Sequence, residues 1–376
     1  MTVGLLPALG GGIRELAAGG QAPRLIDGYL RPYTAAFGRL TYFSYVQETL
    51  AEFTDDPDLL ERVEVLGPAR PMGRGWRAVT MPWSHAGPFR ACSVLRVFQV
   101  TGTIPAILAN ARFGVPYVTT YGFWYARLSR PGPTRFLKSV VERVGLRRAA
   151  AVIATTEELR ARAATVARRV ELIPNGVDTR LFAPAARTPA APGTPRRVLY
   201  VGRLSAEKNL ATLITATARL ARGLPVRLVF VGAGPLEEPL RRRARAEGVS
   251  LELAGVVDQR RLPAVYASAD AFVLASFTEG HPKVLLEAMS SALPCVASDC
   301  EGNRSLVADG RTGLLFDARR VDELADRLER VLTDPTLAAA LGRAARQAIV
   351  ERYDLGACVA REIALLGSLG RAGASA

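Results

Sequence analysis

The chain has 376 residues, 49% apolar and 22% charged, about twice the usual single-domain size and ordinary for a protein with full hydrophobic cores. That composition excludes a disordered chain, and four Cys with two His exclude a disulfide framework and speak against a histidine-based metal site. The formal net charge is +14, with 23 Lys and Arg against 14 Asp and Glu in residues 1–180, so an anionic partner is expected: phosphates, a membrane surface or nucleic acid.

No apolar run approaches the ~18–20 residues of a spanning helix. Residues 1–7 have neither the basic nor the apolar region of a secretion signal, so a reducing, cytoplasmic setting is expected. In chain order, strands are expected at 3–6, 41–45, 94–99, 117–120 and 151–155, with helices from about 13, at 103–113 and at 133–148. The aromatic segment 29–45 leaves two readings open, a lining for an acceptor or plain core. A Pro/Ala-rich stretch at 183–196 reads as an interdomain linker.

Strand and helix then alternate cleanly. Strands are expected at 198–201, 226–231, 250–253, 271–275, 294–298 and 313–316. Helices are expected at 206–222, 236–247, 261–267, 282–291, 321–333 and 335–352. Such alternation implies right-handed βαβ units and parallel sheets covered on both faces. The fold class is therefore α/β, with two Rossmann-like doubly wound domains, 1–182 and 197–352, facing across a cleft. Ligands of such sheets bind outside the carboxyl ends of the strands. In the segment 353–376, Leu355, Cys358, Val359, Ile363, Leu365, Leu366 and Leu369 share one face of a last helix.

Two motifs carry the sharpest chemistry. In Glu279-Gly280-His281-Pro282-Lys283-Val284-Leu285-Leu286-Glu287, Pro282 suits a first helical position, and the N–H groups near 281–284 then form an anion site. Glu287, one turn beyond Lys283, is placed to accept hydrogen bonds from a vicinal diol such as a ribose. In Val201-Gly202-Arg203-Leu204-Ser205-Ala206-Glu207-Lys208-Asn209, Gly202 allows close approach to the backbone, and Arg203 with Lys208 can clamp a diphosphate. Only three Lys occur (Lys138, Lys208, Lys283) among 49 basic residues, which singles out Lys208 and Lys283. Weaker signals are the Gly10-Gly11-Gly12 run, the Gly232-Ala233-Gly234-Pro235 turn, and Ile173-Pro174-Asn175-Gly176-Val177-Asp178, which reads as a turn.

In that order and spacing, these segments, with ALPCVAS at 292–298 and DGRTGLLF at 309–316, resemble the retaining nucleotide-sugar glycosyltransferases of family 4, which have the GT-B fold. The resemblance implies that Arg203 and Lys208 hold the donor diphosphate and that backbone at Val256 and Val257 contacts the base. It further implies that Glu287 binds the ribose hydroxyls, and that Glu279, Gly280 and the backbone of His281, Pro282, Lys283 and Val284 hold the transferred sugar and its phosphate. Gly11 and Gly12 would be the first domain's share of the phosphate site. Where many members carry a His in a T-x-H-G-like segment, this chain has Thr119-Thr120-Tyr121-Gly122, so the sugar stays open. In relatives, the last helix crosses back to the first domain.

The reaction implied is metal-independent transfer with retention, from a nucleoside diphosphate sugar to a glycan or lipid-linked acceptor, without a cofactor. A sugar-nucleotide epimerase of similar architecture and a non-catalytic nucleotide-sugar binding module are the rival readings. No nucleic-acid motif is recognisable. Within 122–150, Arg127, Arg130, Arg135, Lys138, Arg143, Arg147 and Arg148 face a single carboxylate, Glu142, and interleave with Phe136, Leu137, Val140, Val141, Val144 and Leu146. That basic amphipathic stretch is expected either to lie on anionic lipid at the inner face of the membrane or to pack on the sheet.

Overall fold

Apolar runs such as Val94–Val97 and Ala271–Leu274 are buried along their whole length, the pattern of strands covered on both faces. A computed structural model describes residues 1–124, 132–185, 193–221 and 223–372. It divides into two compact units, Met1–Pro174 with the segment from Gly356 onward, and Asn175–Leu355.

The first unit is built on β1 (Thr2–Leu6), β2 (Arg39–Phe43), β3 (Val63–Leu66), β4 (Val94–Val97), β5 (Tyr117–Tyr121), β6 (Ala151–Ala154) and β7 (Val170–Leu172). Their order is β3-β2-β1-β4-β5-β6-β7. The second unit holds β8 (Arg196–Val201), β9 (Val226–Val231), β10 (Ser250–Gly255), β11 (Ala271–Leu274), β12 (Cys295–Ser298) and β13 (Leu314–Phe316), in the order β10-β9-β8-β11-β12-β13. Every pairing among the described residues is parallel. The strand order reverses between β1 and β4 in one sheet and between β8 and β11 in the other, and such switch points open a crevice at the carboxyl edge.

β3 and β7 are not among the strands expected from the sequence. Both are edge strands interrupted by a carboxylate, Glu64 and Glu171, so neither shows a buried run. The expected strand at 41–45 runs instead from Arg39 to Phe43. Most of the aromatic segment is core: Tyr33, Tyr42, Phe43 and Tyr45 are buried, and Phe43 stacks on Phe89 with ring centroids 4.0 Å apart. Residues 175–182, expected in the first domain, belong to the second unit because Val177 bridges to Asp354 and Phe182 fills that unit's core. Residues 186–192 of the expected linker, like Arg127 and Arg130, lie outside the described residues.

The helix Leu355–Ala372 groups with the first unit from Gly356 onward. Leu355, Cys358, Val359, Leu365 and Leu366 are buried, and between them Glu362 enters the interior. Its Oε2 accepts from Arg96 Nε at 2.8 Å and from the Tyr33 hydroxyl at 2.8 Å, with Arg96 Nη2 at 2.7 Å. Both side chains of the ion pair are almost wholly buried. Burial opposes the charge on Arg96, but Glu362 together with Tyr33 and Tyr29 outweighs it and holds the guanidinium pKa above its usual value. Breaking such a pair leaves an unmatched buried charge, so Glu362→Ala should cost about 3–5 kcal/mol in chemical denaturation. A loss within the ~0.5 kcal/mol usual for surface substitutions would show that the pair does not hold this helix to its unit.

Candidate functional site

The site residues expected in the second half gather at the carboxyl edge of the second sheet. After β8 the chain turns at Gly202. The loop after β9 comes so close that a Cβ at Gly232 (φ +131°) would lie 2.0 Å from the Gly202 carbonyl oxygen, so only glycine fits there. Leu204 N–H donates to the Ala233 carbonyl (3.0 Å), and Leu236 N–H donates to that of Leu204 (3.1 Å). The helix expected from 206 is not continuous. Ala206–Lys208 form one tight turn, and Asn209 is left-handed (φ 53°) before the helix Leu210–Leu220. The Asn209 side chain fixes that break by donating to the Ala318 carbonyl (2.8 Å) and accepting from Thr212 (2.7 Å). Lys208 therefore ends a turn instead of lying inside a helix.

The loop after β11 is tied to this turn. Phe277 N–H donates to the Glu207 carbonyl at 2.9 Å. Glu279 Oε1 accepts from Lys208 Nζ and from the Ser276 hydroxyl, each at 2.6 Å. The two charged side chains are only 20% and 11% exposed, so screening by water is reduced. Arg203 is exposed, and its carbonyl is held by the Tyr200 hydroxyl at 2.8 Å. Burial raises the Glu207 pKa, but the Ser205 hydroxyl, its own N–H, Lys208 and Arg203 outweigh this and leave it below the usual carboxylate value.

Pro282 is not the first residue of the next helix but its N-cap (φ −72°, ψ 116°), and the helix is Lys283–Ser290. No side chain caps it, so its first-turn N–H groups carry the positive end of the helix dipole toward the loop. Lys283 is exposed at the first helical position, where a cation is disfavoured unless an anion lies nearby. Buried His281 presents its carbonyl to Asn175 Nδ2 (2.8 Å), and the Val284 carbonyl accepts from the Tyr266 hydroxyl (3.2 Å). Gly280 rests on Gly302, where an added Cβ would stand 2.3 Å from the Gly280 carbonyl oxygen.

Glu287 is 1% exposed. Its Oε2 accepts from the Tyr266 hydroxyl at 2.9 Å, and its Oε1 from Gln259 Nε2 at 3.3 Å. Burial, and then the adjacent Glu287 carboxylate, push the Tyr266 pKa far up and keep that phenol a donor. Val256 (46% exposed) and half-buried Val257 follow β10, whose last carbonyl, that of Gly255, accepts from Gly232 N–H at 2.7 Å. Gln259, Tyr266, Ser276 and Gly302 are supports that the sequence analysis misses, because nothing local marks them. Asn175 lies in the 173–178 segment read there only as a turn.

Gly11 and Gly12 lie in the loop between β1 and the helix Ile13–Ala18. The N–H groups of Ile13 and Arg14, at the start of the helix Ile13–Ala18, already donate to the Glu48 carboxylate at 2.9 and 2.8 Å. A Cβ at Gly12 would stand 2.7 Å from Glu48 Oε1, so Gly12 makes room for this internal carboxylate. Among the described residues, no three His, Cys, Asp or Glu side chains gather as a metal-holding group.

Comparison with known proteins places the chain. The pattern described as glycosyl transferases group 1 matches residues 185–348, and that of glycosyltransferase family 4 matches residues 47–181. An alpha-maltose-1-phosphate synthase of Mycolicibacterium smegmatis is 30% identical over 65% of this chain and 71% of its own length. A sulfoquinovosyl transferase of Arabidopsis thaliana is 33% identical over 53% of this chain and 40% of its own length. The chain spans about half the length of the first curated relatives it matches. The Anabaena HepE protein, solved in complex with UDP and glucose, superposes with a TM-score of 0.77 at 19% identity, covering 98% of this chain and 100% of its own. The two-unit α/β architecture is the GT-B fold.

The Gly302 contact gives a direct check on this edge. Gly302→Ala must displace the 279–280 backbone, and overpacking of this kind should cost about 1–3 kcal/mol in thermal or denaturant unfolding. Unchanged stability would mean that the loop is not held from below.

Proposed function

The chain belongs to the group 1, family 4 glycosyltransferases, and on that footing we propose that it transfers a sugar from a nucleoside diphosphate sugar to an acceptor hydroxyl with retention. The observation that carries this reading is the joining of Lys208 to Glu279 at the switch point between β8 and β11, beside the uncapped start of the Lys283–Ser290 helix. A carboxylate that holds the cation before the donor arrives keeps Lys208 placed while the site lacks an anion. A bound diphosphate then competes for the ammonium.

In the proposed step, the acceptor oxygen bonds to the anomeric carbon on the face that the diphosphate leaves. The bond from that carbon to the phosphate oxygen breaks, and the acceptor proton passes to the departing oxygen. Arg203, Lys208 and the N–H groups of His281, Lys283 and Val284 stabilise the charge growing on the diphosphate. Glu279 positions Lys208 and the sugar. The backbone at Val256 and Val257 receives the base, and Glu287, oriented by Tyr266 and Gln259, receives the ribose hydroxyls. The donor is consumed as substrate, and no cofactor enters. The acceptor is a glycan or a lipid-linked sugar.

Three measurements test the reading. Lys208→Ala and Arg203→Ala should each lower turnover about a hundredfold or more in a folded protein, as loss of a charge-stabilising group does. Near-normal turnover would remove the diphosphate role. Glu287→Gln should weaken binding of the free nucleoside diphosphate about tenfold in titration calorimetry; unchanged affinity would leave Glu287 a core residue. Magnetic resonance of the first-formed product reads the anomeric configuration, and inversion would overturn the mechanism.

A further inference from the structure

From residue 65 to residue 141 the sequence carries ten Arg and Lys and no Asp or Glu, and all three Trp of the chain fall within this run. The run and the rest of the Pro133–Arg148 helix supply one helical layer of the first unit. The Arg74–Ser84 helix packs on Thr103–Phe113, which packs on Pro133–Arg148. These helices connect β3 to β4, β4 to β5 and β5 to β6, all stepping the same way, so right-handed crossovers put them on one face of the sheet.

The outer side of this layer is not a simple solvated charged surface. On the Arg74–Ser84 helix, Trp76 (68% exposed), Val79 (43%) and Trp83 (54%) form a stripe at helical spacing, with Met72 (40%) one turn before. On Pro133–Arg148, Phe136 is 72% and Leu137 64% exposed, with Val140 and Val144 on the same side. The same run carries exposed Arg70, Arg74, Arg90, Arg112, Arg135 and Lys138. The carboxylate on the last helix, Glu142, accepts from the Tyr121 hydroxyl at 2.9 Å.

We propose that this layer lies on an anionic lipid bilayer. Trp76, Trp83, Phe136 and Leu137 enter the headgroup boundary, and the basic side chains meet lipid phosphates. Aromatic rings flanked by Arg and Lys are the chemistry that this boundary selects. A second copy of the chain is a poor occupant, because a two-fold contact sets the exposed Arg and Lys of residues 65–141 against themselves. The Arg74 side chain lies over Gly10, in the loop after β1, so the layer begins at the carboxyl edge of the sheet. The proposal stands apart from the transferase reading, since it concerns attachment alone.

Sedimentation with vesicles tests it, comparing phosphatidylcholine alone with phosphatidylcholine mixed with phosphatidylglycerol, at low and high salt. The bound fraction should rise with phosphatidylglycerol and fall with salt. Trp76→Ala/Trp83→Ala should lower the partition coefficient about tenfold or more with unchanged thermal stability. Arg135→Ala/Lys138→Ala should lower it about 25-fold at low salt and less at high salt. Equal recovery with neutral and anionic vesicles, or unchanged binding of the Trp variant, overturns the proposal. So does a dimer in size-exclusion chromatography that the Trp variant converts to monomer, because a second copy would then own the face.

Discussion

Both sheets are parallel throughout their described pairings, and most of the rest of this structure follows from that constraint. A parallel neighbour cannot be reached by a tight turn, so each strand is followed by a crossover that brings the chain back to the amino end of the sheet. Every loop that leaves a strand's carboxyl end therefore emerges at one edge. In the second unit this brings residues 202–208, 232–235, 256–257 and 276–282 together, although they span eighty residues of chain. Close backbone approach locks them. Gly232 touches the Gly202 carbonyl, and Gly302 supports Gly280.

The charges at that edge are arranged to wait. Lys208 is satisfied by Glu279, itself held by Ser276, and Glu287 is satisfied by Tyr266 and Gln259. A partly buried ammonium or carboxylate without such partners would weaken the fold or shift its protonation. The arrangement keeps each group oriented without a ligand. The first unit treats its corresponding edge differently, by filling the start of the Ile13–Ala18 helix with the Glu48 carboxylate. The contrast is chemical. One edge offers cations and an uncapped helix start, while the other has already neutralised its own.

The C-terminal helix shows the same economy. Its apolar face fixes its seat, and the Arg96–Glu362–Tyr33 cluster specifies orientation, since any other seating strands a charge in the core. Beyond this interior, the helices that carry Trp76, Trp83 and Phe136 leave apolar side chains outward where solvated helices carry charge.

The sequence by itself determined what depends on near neighbours in the chain. Buried runs such as 226–231 and 271–274, the 133–148 and 321–333 helices, the amphipathic C-terminal segment and the spacing of Glu279 and Glu287 are local patterns, and each is legible without partners. The edge strands Val63–Leu66 and Val170–Leu172 were not legible, because a carboxylate in each breaks the apolar run. Tertiary structure alone decided that Lys208 meets Glu279, that Gln259 and Tyr266 orient Glu287, and that Glu48 occupies the start of the first helix. It also decided that Asn209 interrupts the expected 206–222 helix, through a hydrogen bond to Ala318 more than a hundred residues away. Those outcomes rest on hydrogen bonds and close contacts between segments far apart in the chain, and residue type and spacing carry no record of which distant atom will stand opposite.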